Sequence, residues 1–390
     1  MISVEDALTR SLELARHLPT EEISLSDAGG RVLAQAAQAT HDQPPFDASA
    51  MDGYAVRSED VREGATFTMI AEAAAGRPFD GEIGPGQCAR IFTGAPMPRG
   101  TDRVIIQEDV SARGTSITLN AKFDASHYVR KQGSDFTRDT RFAPGVRLGP
   151  AQLGLLATMN VARVTVAKRP EVAIIATGDE LVEVGTELGN GQIVSSNSIA
   201  LAEMAKSEGA TARILPIAAD NEASLKLAFT LAGGADLIVT TGGASVGDHD
   251  LVAPVARALG LEMTFYKVAM RPGKPLMAGR LAGAMLLGLP GNPVSAQVCG
   301  HVFVRPILRQ MQGLAHPIEA PKTGTLAAPI EKNGPRQHYM RAIQTDDGLI
   351  AAPSQDSART AILSGAQALI IRPPHAPAAE AGTPVSYLTL

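Results

Sequence analysis

The sequence predicts an α/β multidomain protein organised around a central doubly wound, mostly parallel α/β domain. Three observations carry that prediction. Over 170–313, short continuous apolar runs alternate with helical segments of about ten residues, the pattern of strands covered by helices on both faces. Over 46–135, short β-like pieces stand between Gly/Pro turns, which predicts a β-rich insertion domain. Over 314–390 the chain returns to short β-like segments with Pro-rich joints, a β-rich C-terminal domain. The flanking stretches 1–45 and 136–169 then form a helical N-terminal and linker domain, split by the insertion. A chain of 390 residues holds two to four such units at roughly 150 residues per domain.

Ser3, three residues before Asp6, resembles a capping box, and Val4, Leu8, Leu12 and Ala15 share the helical face that follows. Pro19 stops that run. A short segment over 25–38 leads to His41-Asp42-Gln43-Pro44-Pro45, where the prolines force extended backbone. Strands are expected at 67–70, 88–92, 104–107 and 116–119, and Pro150 opens a helix carrying Leu153, Leu155 and Leu156. A further strand is expected at 161–166, and Arg169-Pro170 marks the next boundary. Beyond it, strands are expected at 172–176, 212–217 and 237–240. Ser196 or Asn197 caps a helix ending at Gly209, Asn221 caps one through Leu225, Ala228 and Phe229, and another spans 251–259.

Hydrophobic residues at 45% and charged residues at 19% support full cores and exclude wholesale disorder. A net charge of -5 excludes the broad positive field that nucleic-acid or membrane-surface binding needs. Aromatics at 4%, with no Trp, argue against a base-stacking platform. Cys88 and Cys299 match no metal spacing and read as buried free thiols in a reducing compartment. The N-terminus lacks a basic and apolar leader, and no apolar run reaches about 18 residues, so a soluble cytoplasmic protein is expected.

In an open α/β sheet, ligands bind beyond the carboxyl ends of the strands. Two polar loops fall there. One is Thr177-Gly178-Asp179-Glu180. The other runs from Thr240 to Asp250 and carries Gly242, Gly243, Ser245, Gly247 and Asp248. Glycines let backbone N–H groups approach a phosphate, whereas carboxylates hold a hard cation such as Mg2+. Turn glycines with a capping Asp explain either loop taken alone equally well. Arg271 and Lys274 brace a Pro-Gly turn that presents charge to an anion, without the glycine spacing of a Walker A loop. Pro290, Asn292, Pro293 and Ser295 form another turn that feeds a helix. Asp47 and Asp52 flank Ser49, Asp135 ends a mixed-charge turn, and His338, Arg341, Ser354, Ser357 and Arg359 are candidate anion ligands in the tail. His249 reads as loop polarity rather than a metal ligand.

Seven segments together resemble the molybdopterin molybdenumtransferase (MoeA) family, related to the E domains of gephyrin and plant Cnx1. They are residues 45–56, 91–98, 130–135, 176–181, 241–250, 271–275 and 289–295, and they stand in the family's order over nearly the whole chain. The resemblance implies an elongated four-domain subunit with a MoaB/MogA-like α/β domain. It implies a homodimer whose active site lies between the α/β domain of one subunit and the insertion side of the other. The implied reaction inserts molybdate into adenylylated molybdopterin and releases AMP. Asp250, Asp52, Asp135 and Glu180 are the implied catalytic acids, with Mg2+ held by Asp250 assisted by Asp220, Asp248 and Glu180. Molybdate would be gathered by Arg271, Lys274, Arg341 and Ser357 or Arg359. Thr177, Gly178, Asp179, Gly242, Gly243, Ser245, Gly247, Pro290, Asn292, Pro293 and Ser295 would line the substrate site.

The family often carries Lys at Arg271, where Arg keeps the charge and adds a bidentate fork. A molybdopterin adenylyltransferase needs only the α/β unit, so the insertion and tail argue against that alternative. A scaffold or cofactor carrier, as in the gephyrin relative, has no reason to keep buried acids in one cleft. Handover of cofactor to molybdoenzyme apoproteins is compatible with the enzyme.

Overall fold

A computed structural model describes residues 1–243 and 251–390. Its centre is a six-stranded sheet in the order Thr211–Ile214, Glu171–Ala176, Leu237–Thr241, Ala284–Leu289, Met277–Leu281, Glu262–Tyr266. Pairing across the first four is parallel, and the last two add an antiparallel edge. Side chains of a strand point alternately to its two faces, and this one fills both. Val172 and Ile174 enter a core with Leu201, Ala205, Val298 and Phe303 from helices on one side. Ala173 and Ile175 enter another with Leu225, Phe229, Val252 and Val255 from helices Glu222–Leu231 and Val252–Ala258. The chain passes from 171–176 to 211–214 on one side, then crosses back to 237–241 on the other. That reversal is the doubly wound arrangement expected, and it opens a crevice between Ala176 and Thr241 at the carboxyl ends.

The strands at 262–266, 277–281 and 284–289 were not anticipated. The last two form a hairpin closed by Ala282 and Gly283 at φ 48° and 90°. The first helix, Val4–Leu14, starts as expected, with Ser3 Oγ accepting from the Asp6 amide at 3.0 Å, but it ends before Pro19 is reached. Val4, Ala7 and Ala15 pack into the central core rather than against the neighbouring linker segments. Those segments build their own small core from Ala28, Leu33, Leu148, Leu156, Val164 and Val166. There the antiparallel ladder of Thr20–Ser24 with Arg163–Ala167 accompanies helix Pro150–Thr158.

The insertion is a six-stranded sheet whose strands include Gly53–Val56, Thr66–Ala73, Gln87–Ile91 and Arg103–Ile106, packed on Tyr54, Val56, Phe67 and Ile117. The C-terminal sheet is built on Gln337–Thr345, Ala368–Arg372 and Pro384–Thr389. Its edge strand Met270–Arg271 comes from the central domain and pairs with Gln337 and His338, which ties the two bodies together. Both cysteines are free and buried, and burial pushes the Cys88 thiol up to about 12. Among the described residues, no helix is long and apolar enough to cross a membrane.

Candidate active site

Three loops leave the carboxyl ends of adjacent parallel strands and meet around a cleft of about 400 Å³. Strand 171–176 supplies Thr177 and Glu180, strand 237–241 supplies Gly242 and Gly243, and strand 284–289 supplies Pro290 to Pro293. Backbone bonds lock the loops to one another: the Thr177 amide donates to the Thr241 carbonyl at 3.0 Å, and the Gly242 amide to Leu289 at 3.3 Å. Gly242 has φ +91°, and a Cβ there would lie 2.5 Å from the Thr177 carbonyl oxygen. Only glycine lets the two loops come this close.

Gly242→Ala is therefore expected to cost about 2 kcal/mol and to distort the cleft. Gly154→Ala, in helix 150–158 with open space where its Cβ would go, should gain about 0.5–1 kcal/mol. Urea midpoints of the two variants check the contrast.

Glu180 faces the cleft, its carboxylate oxygens 2.6 and 2.8 Å from where a Cβ on Gly178 would sit. Asp179 Oδ1 accepts from the Asp220 amide at 2.9 Å, which brings these two acids together beside the cleft. Pro275 reaches the wall, whereas Arg271 and Lys274 on the same turn are exposed. Asn292 Nδ2 donates to Ser357 Oγ at 3.1 Å, and the Ser357 carbonyl accepts from the Val294 amide. Ser295 is buried in the helix that follows. Asp248, Asp250, Ser245 and Gly247 lie outside the described residues.

Next to Ser357, Arg341 is 1% exposed. Its backbone amide and Nε donate to Gln355 Oε1, and Nη1 donates to the Asp356 carbonyl at 2.8 Å. Its Nη2 meets no partner among the described residues. His338 is buried among Arg271, Arg341, Arg336 and Arg372. Burial first, and then those positive charges, lower its pKa to about 4, so it is neutral at pH 7. The result is a cationic cluster bordering the cleft, with Arg341 and Arg372 buried, Arg336 half-buried and Arg271 exposed.

Asp52 and Asp135 do not line this cleft in their own chain. Both belong to the insertion side, where strand Val129–Arg130 pairs with Ala48–Ser49 and draws the 45–56, 91–98 and 130–135 segments together. Asp52 Oδ1 accepts from both the amide and the hydroxyl of Thr93 at 2.8 Å, which holds its carboxyl below the usual range. Asp47 is held down likewise by Lys131 and the Gln132 amide. Asp135 and Glu180 are exposed and Asp52 is half-buried, so the expectation of buried acids in one cleft describes none of these three.

Sequence reasoning missed several cleft residues: Ile193, Val194, Ser195 and, as more than a helix cap, Asn197. A local apolar pair inside a Gly-rich polar stretch was the one available signal.

A glycine-lined crevice at the switch point of a doubly wound sheet, with an anion-attracting flank, defines a ligand-binding α/β protein built for a phosphorylated or otherwise anionic substrate. Comparison with known proteins makes this specific. Residues 2–160 match the MoeA N-terminal region (domains I and II), 173–310 a probable molybdopterin binding domain, and 323–390 the MoeA C-terminal region (domain IV). The molybdopterin molybdenumtransferase of Haemophilus influenzae is 38% identical over 318 residues, covering 80% of this chain and 78% of that one. The Bacillus subtilis protein of the same name is 33% identical, covering 100% and 94%. A MoeA crystal structure from Pyrococcus horikoshii superposes with a TM-score of 0.87 at 25% identity over the full length of both chains. The chain belongs to the molybdopterin molybdenumtransferase family and is a transferase of molybdenum cofactor biosynthesis.

Proposed function

We propose that this transferase inserts molybdate into adenylylated molybdopterin with Mg2+-dependent release of AMP, acting in the cytoplasm as a homodimer. The observation that carries the reading is the continuity between the glycine-lined cleft and the cationic cluster, through Asn292, Ser357 and Arg341. The cleft suits a phosphorylated substrate. The cationic flank suits a small dianion, because charge-assisted N–H donors are the strong ligands for oxyanions.

The donors near Glu180 are carboxylates, the ligand type that Mg2+ prefers. Among the described residues no group of three His, Cys, Asp or Glu gathers to hold a metal, so Asp250 and Asp248 would have to complete the set begun by Glu180 and Asp220. A bound Mg2+ would supply Lewis-acid polarisation of the substrate's phosphate oxygens. Thr177, Gly178, Asp179 and the 242–243 glycines would position the phosphates, and Arg271, Lys274, Arg341 and Ser357 would hold molybdate against the dithiolene. Asp52 and Asp135 would enter from the partner subunit, which gives a role to acids remote from the cleft of their own chain. The division into 1–45 with 136–169, 46–135, 170–313 and 314–390 fits this two-sided site. Two buried free thiols fit a reducing compartment. Product would pass to molybdoenzyme apoproteins.

The test is AMP release from adenylylated molybdopterin by the purified protein, with molybdate and Mg2+ added singly and together. AMP appearing only with both is the expected result. Tight pterin binding without AMP under any condition would favour a carrier instead.

A further inference from the structure

The cleft is chemically divided, and one end of it does not suit an anion. Asn197 lies in the wall and is only 9% exposed. Its Nδ2 donates to the Gly291 carbonyl at 2.7 Å, which fixes the orientation of the amide and leaves Oδ1 as the free atom. Oδ1 meets no partner among the described residues, and neither does the hydroxyl of Thr177, 4% exposed in the same cleft. A carboxamide oxygen only accepts, so it repels phosphate and molybdate oxygens and waits for an N–H. Beside it stand Ile193 and Val194, apolar side chains that form part of the cleft wall although Ile193 is 54% exposed. An exposed aliphatic wall next to a buried, unpaired acceptor suits one edge and one face of a flat, amino-substituted nitrogen heterocycle.

We propose that Asn197, with Ile193 and Val194, forms the heterocycle-selecting subsite of this cleft, Oδ1 accepting from an exocyclic amino group of the substrate. The subsite rests on the function proposed above, whose substrate carries two such groups, one on adenine and one on the pterin. The glycine loop at 242–243 then takes the phosphates that join them.

Calorimetric titrations with AMP, with purine riboside monophosphate (AMP without its amino group) and with pterin-6-carboxylate test the assignment. If adenine occupies the subsite, the protein should bind AMP at least tenfold more tightly than the deaminated analogue, and Asn197→Ala should erase the difference. If the pterin occupies it, Asn197→Ala should weaken pterin-6-carboxylate about tenfold and leave AMP unchanged. Ile193→Ala, at a position too exposed to threaten folding, should weaken whichever ring is bound, with or without its amino group.

A folded Asn197→Ala variant that binds AMP and pterin-6-carboxylate within twofold of the parent overturns the subsite, as does a parent protein that binds neither probe. AMP release from adenylylated molybdopterin is followed in the same variant. Unaltered turnover with unaltered probe affinity removes Asn197 and leaves the proposed function standing. Selective probe binding without any turnover does the reverse.

Discussion

Glu208→Ala is expected to lower unfolding stability by about 3 kcal/mol, read as a reduced urea midpoint. The Glu208 side chain is 4% exposed and is gripped by three arginines from distant parts of the chain. Arg147 Nη2 donates to Oε2 at 3.0 Å, Arg305 Nε to Oε1 at 2.6 Å, and Arg309 reaches both oxygens with Nε and Nη2 at 2.9 and 2.8 Å. Removing the carboxylate leaves three partly buried guanidiniums facing one another, with Glu319 near two of them as the remaining acid. The sheet-side helix 197–207, the linker around Arg147 and the helix Arg305–Met311 would lose their common anchor.

The same cluster fixes the sign of a pH effect. Burial raises the Glu208 pKa, but hydrogen bonds and charge from Arg309 and Arg305 outweigh it and leave the carboxyl below its ordinary 4.5. Neighbouring His301 is lowered to about 4, by burial first and then by Arg305, and its Nδ1 faces Arg305 Nη1 at 3.3 Å as an acceptor. Both folded-state values are depressed. Each contribution is therefore full above the unfolded value and fades as acid is added, His301 from about 6.5 down through about 4 and Glu208 below 4.5. Urea midpoints should fall as pH drops from 7 to 4, chiefly through His301, and go on falling below 4.5 through Glu208; only the fall below 4.5 should be lost in Glu208→Ala.

Much of this was legible because local chemistry and tertiary packing agree. The apolar run at 172–176 becomes an interior strand of the central sheet, and Asn221 caps its helix by accepting from the Ser224 amide as its position predicts. The glycine loops fall where a doubly wound sheet binds ligands. What stayed hidden depends on partners far along the chain. Asn197 reads as a helix cap, whereas its side chain bonds Gly291, 94 residues away. Glu208 and Arg147 are lone charges in the sequence, and although Arg305 and Arg309 share a helical face at i, i+4, nothing local links that face to an acid 97 residues earlier. The 277–289 hairpin escaped because its turn places Ala282, rather than the usual Asn, at positive φ, and because Gly279 and Gly288 break the apolar texture of its strands. Gly279 is needed there, since a Cβ would run into the backbone carbonyl of Glu262 on the neighbouring strand.

Arg341→Met should raise the molybdate concentration needed for half-maximal AMP release about 100-fold, the equivalent of roughly 2.7 kcal/mol. Hiding a guanidinium from water is costly unless a counter-charge lies close to it. Burial lowers the Arg341 pKa against the opposing charge of Asp356, and one of its nitrogens is left without a partner among the described residues. Arg271, Arg336 and Arg372 also stand around His338, so the neighbourhood is rich in positive charge that an anion would balance. Methionine matches the aliphatic stem and removes the charge and the fork together. Lysine keeps the charge and cannot reproduce the bonds to Gln355 and Asp356, so Arg341→Lys should fall between the two. A purely structural Arg341 would instead lower the urea midpoint and reduce turnover at every molybdate concentration, with no rescue by excess anion. Saturation restored at high molybdate, in a variant that still binds AMP like the parent, is the outcome that assigns the anion to this flank.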